Sequence, residues 1–196
     1  MILGTINPKR KNVFIDGGGN DGSSVRKFRK KYDIFCRFEI YTFEPNEIYK
    51  PNYQGISRHN LIQCALSDKD GEQLFYLDRD DGDGSTLFKD KLTEKNGGYG
   101  TLDLLEPVKV KVLNLSNWLL SNFSIKDYIV LKLDVEGAEY DILEKMISDG
   151  TINYIRRIFI EWHWEKIGVP FDRHEKILNS LSALGIQVDE WDARGY

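Results

Sequence analysis

The stretch Val13-Phe14-Ile15-Asp16-Gly17-Gly18-Gly19-Asn20-Asp21-Gly22 decides the fold of this chain. An apolar run of β-branched and aromatic residues that stops at a glycine cluster predicts a buried strand ending in a tight turn. Residues 23–32 predict a helix, with Ser23 or Ser24 as its N-cap. A strand, a glycine turn and a helix in this order are typical of the nucleotide-binding start of a doubly wound α/β domain, where a ligand lies against the bare turn.

The composition is typical of one globular domain spanning residues 1–196. Hydrophobic residues make up 41% of the chain and charged residues 30%, and the net charge is −4, so no general basic field favours nucleic acid. No apolar run approaches the roughly 18 residues that a membrane span needs. Two cysteines are too few for a disulfide framework, and the N-terminus lacks the pattern of a signal peptide. We therefore predict a cytoplasmic, reducing location.

The rest of the chain alternates strand and helix patterns. Further strands are predicted over residues 40–44, 61–66, 108–113, 128–134, 155–161 and 186–191, and helices over 115–122, 138–149 and 172–184. This alternation predicts an α/β, Rossmann-like fold with a largely parallel central sheet flanked by helices. A β-hairpin and loop excursion interrupts it around residues 70–112, with strand 73–77 paired to residues 85–88 around an acidic loop.

Carboxylates follow four of the predicted parallel strands, and the carboxyl ends of such strands share one edge where ligands bind. They are Asp16, Glu44, the pair Asp134 and Glu136, and Glu161. Glu44 is suited to accept the hydroxyls of a ribose, the alternative being an ordinary exposed glutamate at a strand end.

The glycine turn departs from the usual dinucleotide pattern. Only Gly17, Gly19 and Gly22 fit the GxGxxG spacing, and the turn is bracketed by Asp16 and Asp21 without a basic residue inside it. Negative charge suits a ligand with cationic parts better than a pyrophosphate. S-adenosylmethionine, with an ammonium and a sulfonium, is therefore favoured over NAD. An NAD-type oxidoreductase and a non-catalytic relative that binds a nucleotide or a glycan are the alternatives.

Three motifs, VFIDGGGNDG, TFEPN and LKLDVEGAEYDIL, resemble in order and spacing those of the FkbM-type class I methyltransferases. The resemblance spans roughly residues 12–190. It implies an S-adenosylmethionine-dependent O-methyltransferase that acts on a hydroxyl of a sugar, a glycan or a similar small natural product. It also implies the residues of the cofactor site, in which Glu44 holds the ribose and Ala65 with Leu66 flanks the adenine. These residues are Asp16, Gly17, Gly18, Gly19, Asn20, Gly22, Ser23, Glu44, Pro45, Ala65, Leu66 and Asp134.

The chemistry of methyl transfer requires that the acceptor hydroxyl lose its proton. Asp134 is our first candidate for the base because it follows a rigid strand, and His163 is the second because its ordinary pKa suits the task. The alternative for His163 is a packed histidine between two tryptophans. Glu136 borders the same site. Asp134, Glu136 and His163 together also have the ligand types for a divalent cation. Glu139, in the first turn of its helix, is expected to interact only with the helix dipole.

Overall fold

The computed structural model describes residues 10–79, 84–92 and 101–191. Within them the strands are β1 (Asn12–Gly17), β2 (Glu39–Phe43), β3 (His59–Ile62), β4 (Ala65–Ser67), β5 (Gly71–Phe75), β6 (Val108–Asn114), β7 (Tyr128–Leu133), β8 (Ile155–Ile160) and β9 (Gln187–Glu190). The α-helices are α1 (Ser23–Tyr32), α2 (Leu115–Asn122), α3 (Glu139–Ser148) and α4 (Phe171–Ala183), and two 3₁₀ helices span Glu47–Tyr53 and Thr151–Tyr154. None of the described helices is both long and apolar enough to cross a bilayer.

The central sheet has six strands in the order β3-β2-β1-β7-β8-β9. Every neighbouring pair is parallel, which confirms the predicted Rossmann-like α/β fold. The strand order reverses between β1 and β7, because β2 and β3 extend the sheet to one side of β1 and the later strands extend it to the other. Ligands of open α/β sheets bind outside the carboxyl ends of the strands at such a reversal.

Both faces of the sheet are covered by helices, as the alternation of side chains along β1 shows. Phe14 points to the face where α1 packs and stacks on Phe28, with ring centroids 3.8 Å apart. Val13 and Ile15 point to the opposite face, where they join a larger core that includes residues of α2, α3 and α4. All of these side chains are fully buried, so the carboxyl end of β1 is held rigidly.

The predicted strand over residues 61–66 is wrong, because the chain turns in the middle of it. The N–H of Cys64 donates to the carbonyl of Ile62 at 2.9 Å, which ends β3 and redirects the chain into β4. β4 belongs to a second sheet, of order β4-β6-β5. An apolar run therefore contains two short strands in different sheets.

The predicted pairing of residues 73–77 with residues 85–88 is confirmed only in part. An isolated antiparallel bridge joins Tyr76 to Thr86. Residues 73–75 instead lie in β5, which pairs antiparallel with β6 over the register Gly71–Val112 to Phe75–Val108. Residues 80–83 of the acidic loop and residues 93–100 of the excursion lie outside the described residues.

Candidate active site

The glycine turn after β1 is wedged between the ends of β2 and β7. A Cβ on Gly18 would lie 1.8 Å from the carbonyl oxygen of Asp134, and one on Gly19 would lie 2.1 Å from Cγ2 of Thr42. Gly18 and Gly22 also have φ values of +75° and +83°, which favour glycine. The protein's own packing therefore requires these glycines, whereas the sequence suggested that the turn is bare in order to admit a ligand.

Asp16 supports this turn from inside the protein. Its side chain is fully buried, and Oδ2 accepts hydrogen bonds from Oγ of Ser24 at 2.7 Å and from Oγ1 of Thr42 at 3.2 Å. The predicted N-cap role of Ser23 or Ser24 is wrong, because the hydroxyl of Ser24 is used by Asp16 and the helix begins after Gly22 without a side-chain cap. That Asp16 lines the cofactor stays a prediction, and its observed contacts are with the side chains that support the turn.

Lys132 is the residue of this region that sequence reasoning missed. Its ammonium is buried and donates to the carbonyls of Gly17 at 3.2 Å and Gly18 at 2.6 Å. Nζ also lies 3.4 Å from Oδ1 of Asp16 and 3.2 Å from Oδ2 of Asp134. Burial opposes the charge, but Asp134 and Asp16 hold the pKa of Lys132 above its ordinary value. The position of a single lysine inside an otherwise apolar strand was the sequence signal that could have identified it.

Glu44 ties the end of β2 to the glycine turn. Oε2 accepts the N–H of Asn20 at 2.8 Å, and Oε1 accepts the N–H of Asn46 at 2.7 Å. The side chain is buried, which excludes the alternative of an ordinary exposed glutamate. Burial raises the pKa of Glu44 to about 7, against the lowering effect of its two hydrogen bonds and of Lys132.

The other residues predicted for the cofactor surround this turn in different ways. Leu66 packs beneath it, since its Cδ1 would lie 2.8 Å from a Cβ on Gly17. Ala65 is buried beside Leu66 in β4, Ser23 is exposed at the start of α1, and Pro45 is half-buried. Asn20 has φ of +44° and its carbonyl accepts the hydroxyl of Tyr53 at 2.9 Å, which fixes the outer part of the turn.

Asp134, Glu136 and His163 converge at the ends of β7 and β8. Nε2 of His163 lies 3.3 Å from Oε2 of Glu136 and 3.9 Å from Oδ1 of Asp134. Glu161, at the end of β8, is 3.6 Å from the same nitrogen. The sequence therefore identified a real cluster, and the parallel pairing of β7 with β8 is what assembles it.

A comparison with known protein families shows to which family this chain belongs. The model of the Methyltransferase FkbM domain matches residues 16–188. The chain belongs to the FkbM methyltransferase family. It is similar to the 2-O-methyltransferase NoeI of Sinorhizobium fredii (strain NBRC 101917 / NGR234), with 29% identity over 165 residues that cover 76% of this chain and 63% of NoeI.

A second relative of this FkbM family member is Methyltransferase 1 of Beauveria bassiana (strain ARSEF 2860). It is 26% identical over 163 residues, which cover 76% of this chain and 64% of that protein. The matched region thus spans less than two thirds of either relative. No solved structure matches the chain significantly.

Glu139 holds the turn of the family's DVEGAE motif and does not serve merely as a partner of the helix dipole. Its carboxylate is fully buried, and it accepts the N–H of Val135 at 2.9 Å and that of Gly137 at 3.0 Å. Its Oε1 also lies 2.9 Å from Nδ1 of His163. In this turn Glu136 has a φ of +54°, which is a strained value for a residue other than glycine. The hydrogen bonds to Glu139 therefore hold the backbone in an unfavourable conformation.

The charges of the cluster determine which of its members can accept a proton. Burial lowers the pKa of His163, but the neighbouring carboxylates of Glu136, Glu139 and Glu161 outweigh this and raise it to about 12. His163 therefore carries its second proton at neutral pH whenever no other cation stands at Nε2, which does not suit it as a general base. Burial raises the pKa of Asp134 to about 6, so its carboxylate is mostly ionised at neutral pH yet basic enough to take a proton.

A segment of the excursion, residues 84–92, closes over the Glu136 side of the cluster. Nζ of Lys91 lies 2.6 Å from Oε2 of Glu136 and donates to the carbonyl of Gly84 at 2.6 Å. Oγ1 of Thr86 donates to the backbone carbonyl of Glu136 at 2.6 Å. Burial opposes the charge on Glu136, but His163, Lys91 and Lys166 lower its pKa to about 2. Sequence reasoning missed Lys91, because it lies in a polar stretch without a motif.

Proposed function

We propose that this chain is an S-adenosylmethionine-dependent O-methyltransferase that acts on a hydroxyl of a sugar or glycan. The observation that carries the proposal is the meeting of the glycine turn, Glu44 and Asp134 at the carboxyl ends of three neighbouring strands, β1, β2 and β7. Membership of the FkbM family supports methyl transfer over hydride transfer to NAD. The similarity to NoeI, which is named a 2-O-methyltransferase, supports a hydroxyl as the acceptor.

The residues present fit this cofactor. Each carboxylate oxygen of Glu44 accepts one backbone N–H and keeps a second acceptor position, which suits the two hydroxyls of a ribose. The negative charges of Asp134 and Glu136 suit the positive sulfonium, which S-adenosylhomocysteine lacks. When bound, S-adenosylmethionine supplies a methyl group that is already activated by the positive sulfur.

The task of the protein is then to align the acceptor hydroxyl and to remove its proton. We assign proton removal to Asp134, which follows a strand that is buried from Ile129 to Leu133 and is itself partly accessible. Glu136 borders the acceptor. His163, held by Glu139, positions the carboxylates and does not accept the proton.

Calorimetric titration with S-adenosylhomocysteine, the demethylated product of the cofactor, tests the proposal. We expect micromolar binding, no comparable binding of NADH, and transfer of a labelled methyl group to a hydroxyl within a panel of sugars and glycans. A folded protein that fails to bind S-adenosylhomocysteine, or that methylates only acceptors without sugar hydroxyls, would contradict it.

Glu44 makes the binding of S-adenosylhomocysteine depend on pH. Ribose hydroxyls donate to the ionised carboxylate, so binding favours loss of the proton, and affinity falls as pH drops through the pKa of about 7. With Asp16 and Lys132 as its charged neighbours, we expect about a tenfold weaker affinity at pH 6 than at pH 8.

The Glu44→Gln variant is the control for this titration, because its side chain carries no proton that binding could release. We expect it to bind more weakly at pH 8 and to lose the pH dependence. An unchanged pH dependence in the variant would show that another group titrates.

A further inference from the structure

We propose that Asp134, Glu136 and His163 form a binding site for a divalent cation of the Mn²⁺ type. The binding itself is independent of the proposed function. The role of the cation, to acidify the acceptor hydroxyl, rests on that function.

The spacing of the three side chains is that of ligands around one ion. One ligand atom from each lies within 4.8 Å of the others. Two atoms at about 2.1 Å from a cation are about 3.0 Å apart at a right angle and about 3.4 Å apart at a tetrahedral angle. Nε2 of His163 is 3.3 Å from Oε2 of Glu136, close to the tetrahedral separation, and 3.9 Å from Oδ1 of Asp134, so Asp134 has to move towards the other two ligands to bind the same ion.

His163 has the surroundings that are typical of a histidine that binds a metal ion. Its side chain is 1% exposed, and Nε2 faces the carboxylates without a hydrogen-bond partner. Nδ1 lies 2.9 Å from Oε1 of Glu139, which is itself fixed by two backbone N–H groups. A histidine that ligates a metal with one nitrogen usually donates its other N–H to a carboxylate, and this contact fixes the ring orientation and raises its basicity.

The charge balance around the cluster leaves room for a cation. Five carboxylates lie within its chain of ion pairs, namely Asp16, Asp134, Glu136, Glu139 and Glu161. Two buried ammonium groups, Lys91 and Lys132, oppose them, and the half-exposed Lys166 stands at the rim, 3.8 Å from Glu136. A divalent ion that binds Nε2 in place of a proton would add one positive charge to a cluster in which carboxylates outnumber ammonium groups.

The donor set indicates the class of ion and its use. Two carboxylates and one imidazole suit Mn²⁺ or a similar first-row ion better than Ca²⁺, which prefers oxygen alone. A cation there would lower the pKa of an acceptor hydroxyl that reaches it. In the transfer, a carboxylate of the site takes the proton of the acceptor hydroxyl. The O–C bond forms as the C–S bond breaks, and the electron pair of the broken bond stays on sulfur.

The test uses the full chain freed of metal with EDTA and titrated with MnCl₂ by calorimetry and electron paramagnetic resonance. We expect one saturable Mn²⁺ per chain and a ¹⁴N coupling from a bound imidazole in the pulsed spectrum. The variants His163→Gln and Glu136→Gln should weaken binding 10- to 100-fold, and the first should abolish the nitrogen coupling.

Glu165→Gln is the matched control, because Glu165 is exposed and lies two residues beyond His163. It should leave Mn²⁺ affinity unchanged. The inference is overturned if the wild-type protein shows no saturable Mn²⁺ binding, if no nitrogen couples to the ion, or if Glu165→Gln weakens binding as much as Glu136→Gln.

The same preparation separates this inference from the proposed function. A protein that binds S-adenosylhomocysteine but not Mn²⁺ refutes the cation site alone, whereas one that binds Mn²⁺ but not S-adenosylhomocysteine refutes the proposed function alone. EDTA should lower turnover at least tenfold, with recovery on addition of Mn²⁺. Turnover that is unchanged by EDTA, in a protein that binds Mn²⁺, would overturn the catalytic role of the cation.

Discussion

Asp134→Asn is expected to reduce methyl transfer by 10²- to 10⁴-fold while the affinity for S-adenosylhomocysteine stays within about threefold. The amide keeps the shape of the side chain but cannot take a proton. The fold should survive, because Lys132 retains Asp16 and the two turn carbonyls as partners. Single-turnover transfer of labelled methyl, measured alongside calorimetry, checks both parts of the expectation.

The matched control is Asp141→Asn, which changes a half-exposed aspartate on α3 that pairs with Arg173. Its turnover should equal that of the wild type. If Asp134→Asn also keeps turnover within threefold of the wild type, Asp134 is not the base. Titration of the variant with MnCl₂ separates its two proposed roles, because turnover lost with unchanged Mn²⁺ affinity identifies proton removal as the function of this side chain.

Lys132→Met is expected to lower the free energy of unfolding by about 3–5 kcal/mol. The substitution preserves much of the side-chain volume but removes the only ammonium that contacts both Asp16 and Asp134 among the described residues. The fully buried Asp16 would lose its ammonium partner, and two carbonyls of the turn would lose their donor. Urea unfolding followed by far-ultraviolet circular dichroism measures the loss.

Lys145→Met provides the comparison for a surface ion pair. Nζ of Lys145 lies 3.3 Å from Asp149, but both side chains are solvent-accessible, so the expected loss is under about 1 kcal/mol. A loss for Lys132→Met that is no larger than this would show that the buried ammonium is not what holds the turn and Asp134 in place.

Most predictions that rest on local signals were accurate, although the N-cap role of Ser23 or Ser24 was not. The first helix was predicted over residues 23–32, where α1 spans Ser23–Tyr32, and α2 lies at Leu115–Asn122 as predicted. The Asp134, Glu136 and His163 cluster was anticipated too, because neighbouring parallel strands bring their carboxyl ends to one edge. Predictions that required the partner of a segment failed, as with residues 61–66, which divide between two sheets.

The contacts of individual side chains were the hardest feature to predict from the sequence. The sequence predicted Glu139 to interact with the helix dipole. In the structure its side chain is fully buried and contacts a histidine 24 positions away and two backbone N–H groups. Lys132 and the turn carbonyls that it bonds are more than 110 residues apart. No spacing rule along the chain predicts such pairs, since their separation is set by the order of strands.

The sequence by itself determined the strand–turn–helix opening, the parallel α/β class, the family and the carboxylates at the strand ends, because apolar periodicity, glycine clusters and motifs act over a few residues. Only the tertiary structure decided that the glycines are required by contacts with β2 and β7, that Lys132 lies between Asp16 and Asp134, and that Glu139 holds His163 beside Asp134 and Glu136. The physical reason is that burial and electrostatic energy depend on neighbours in space, and the crossover connections of the sheet choose those neighbours.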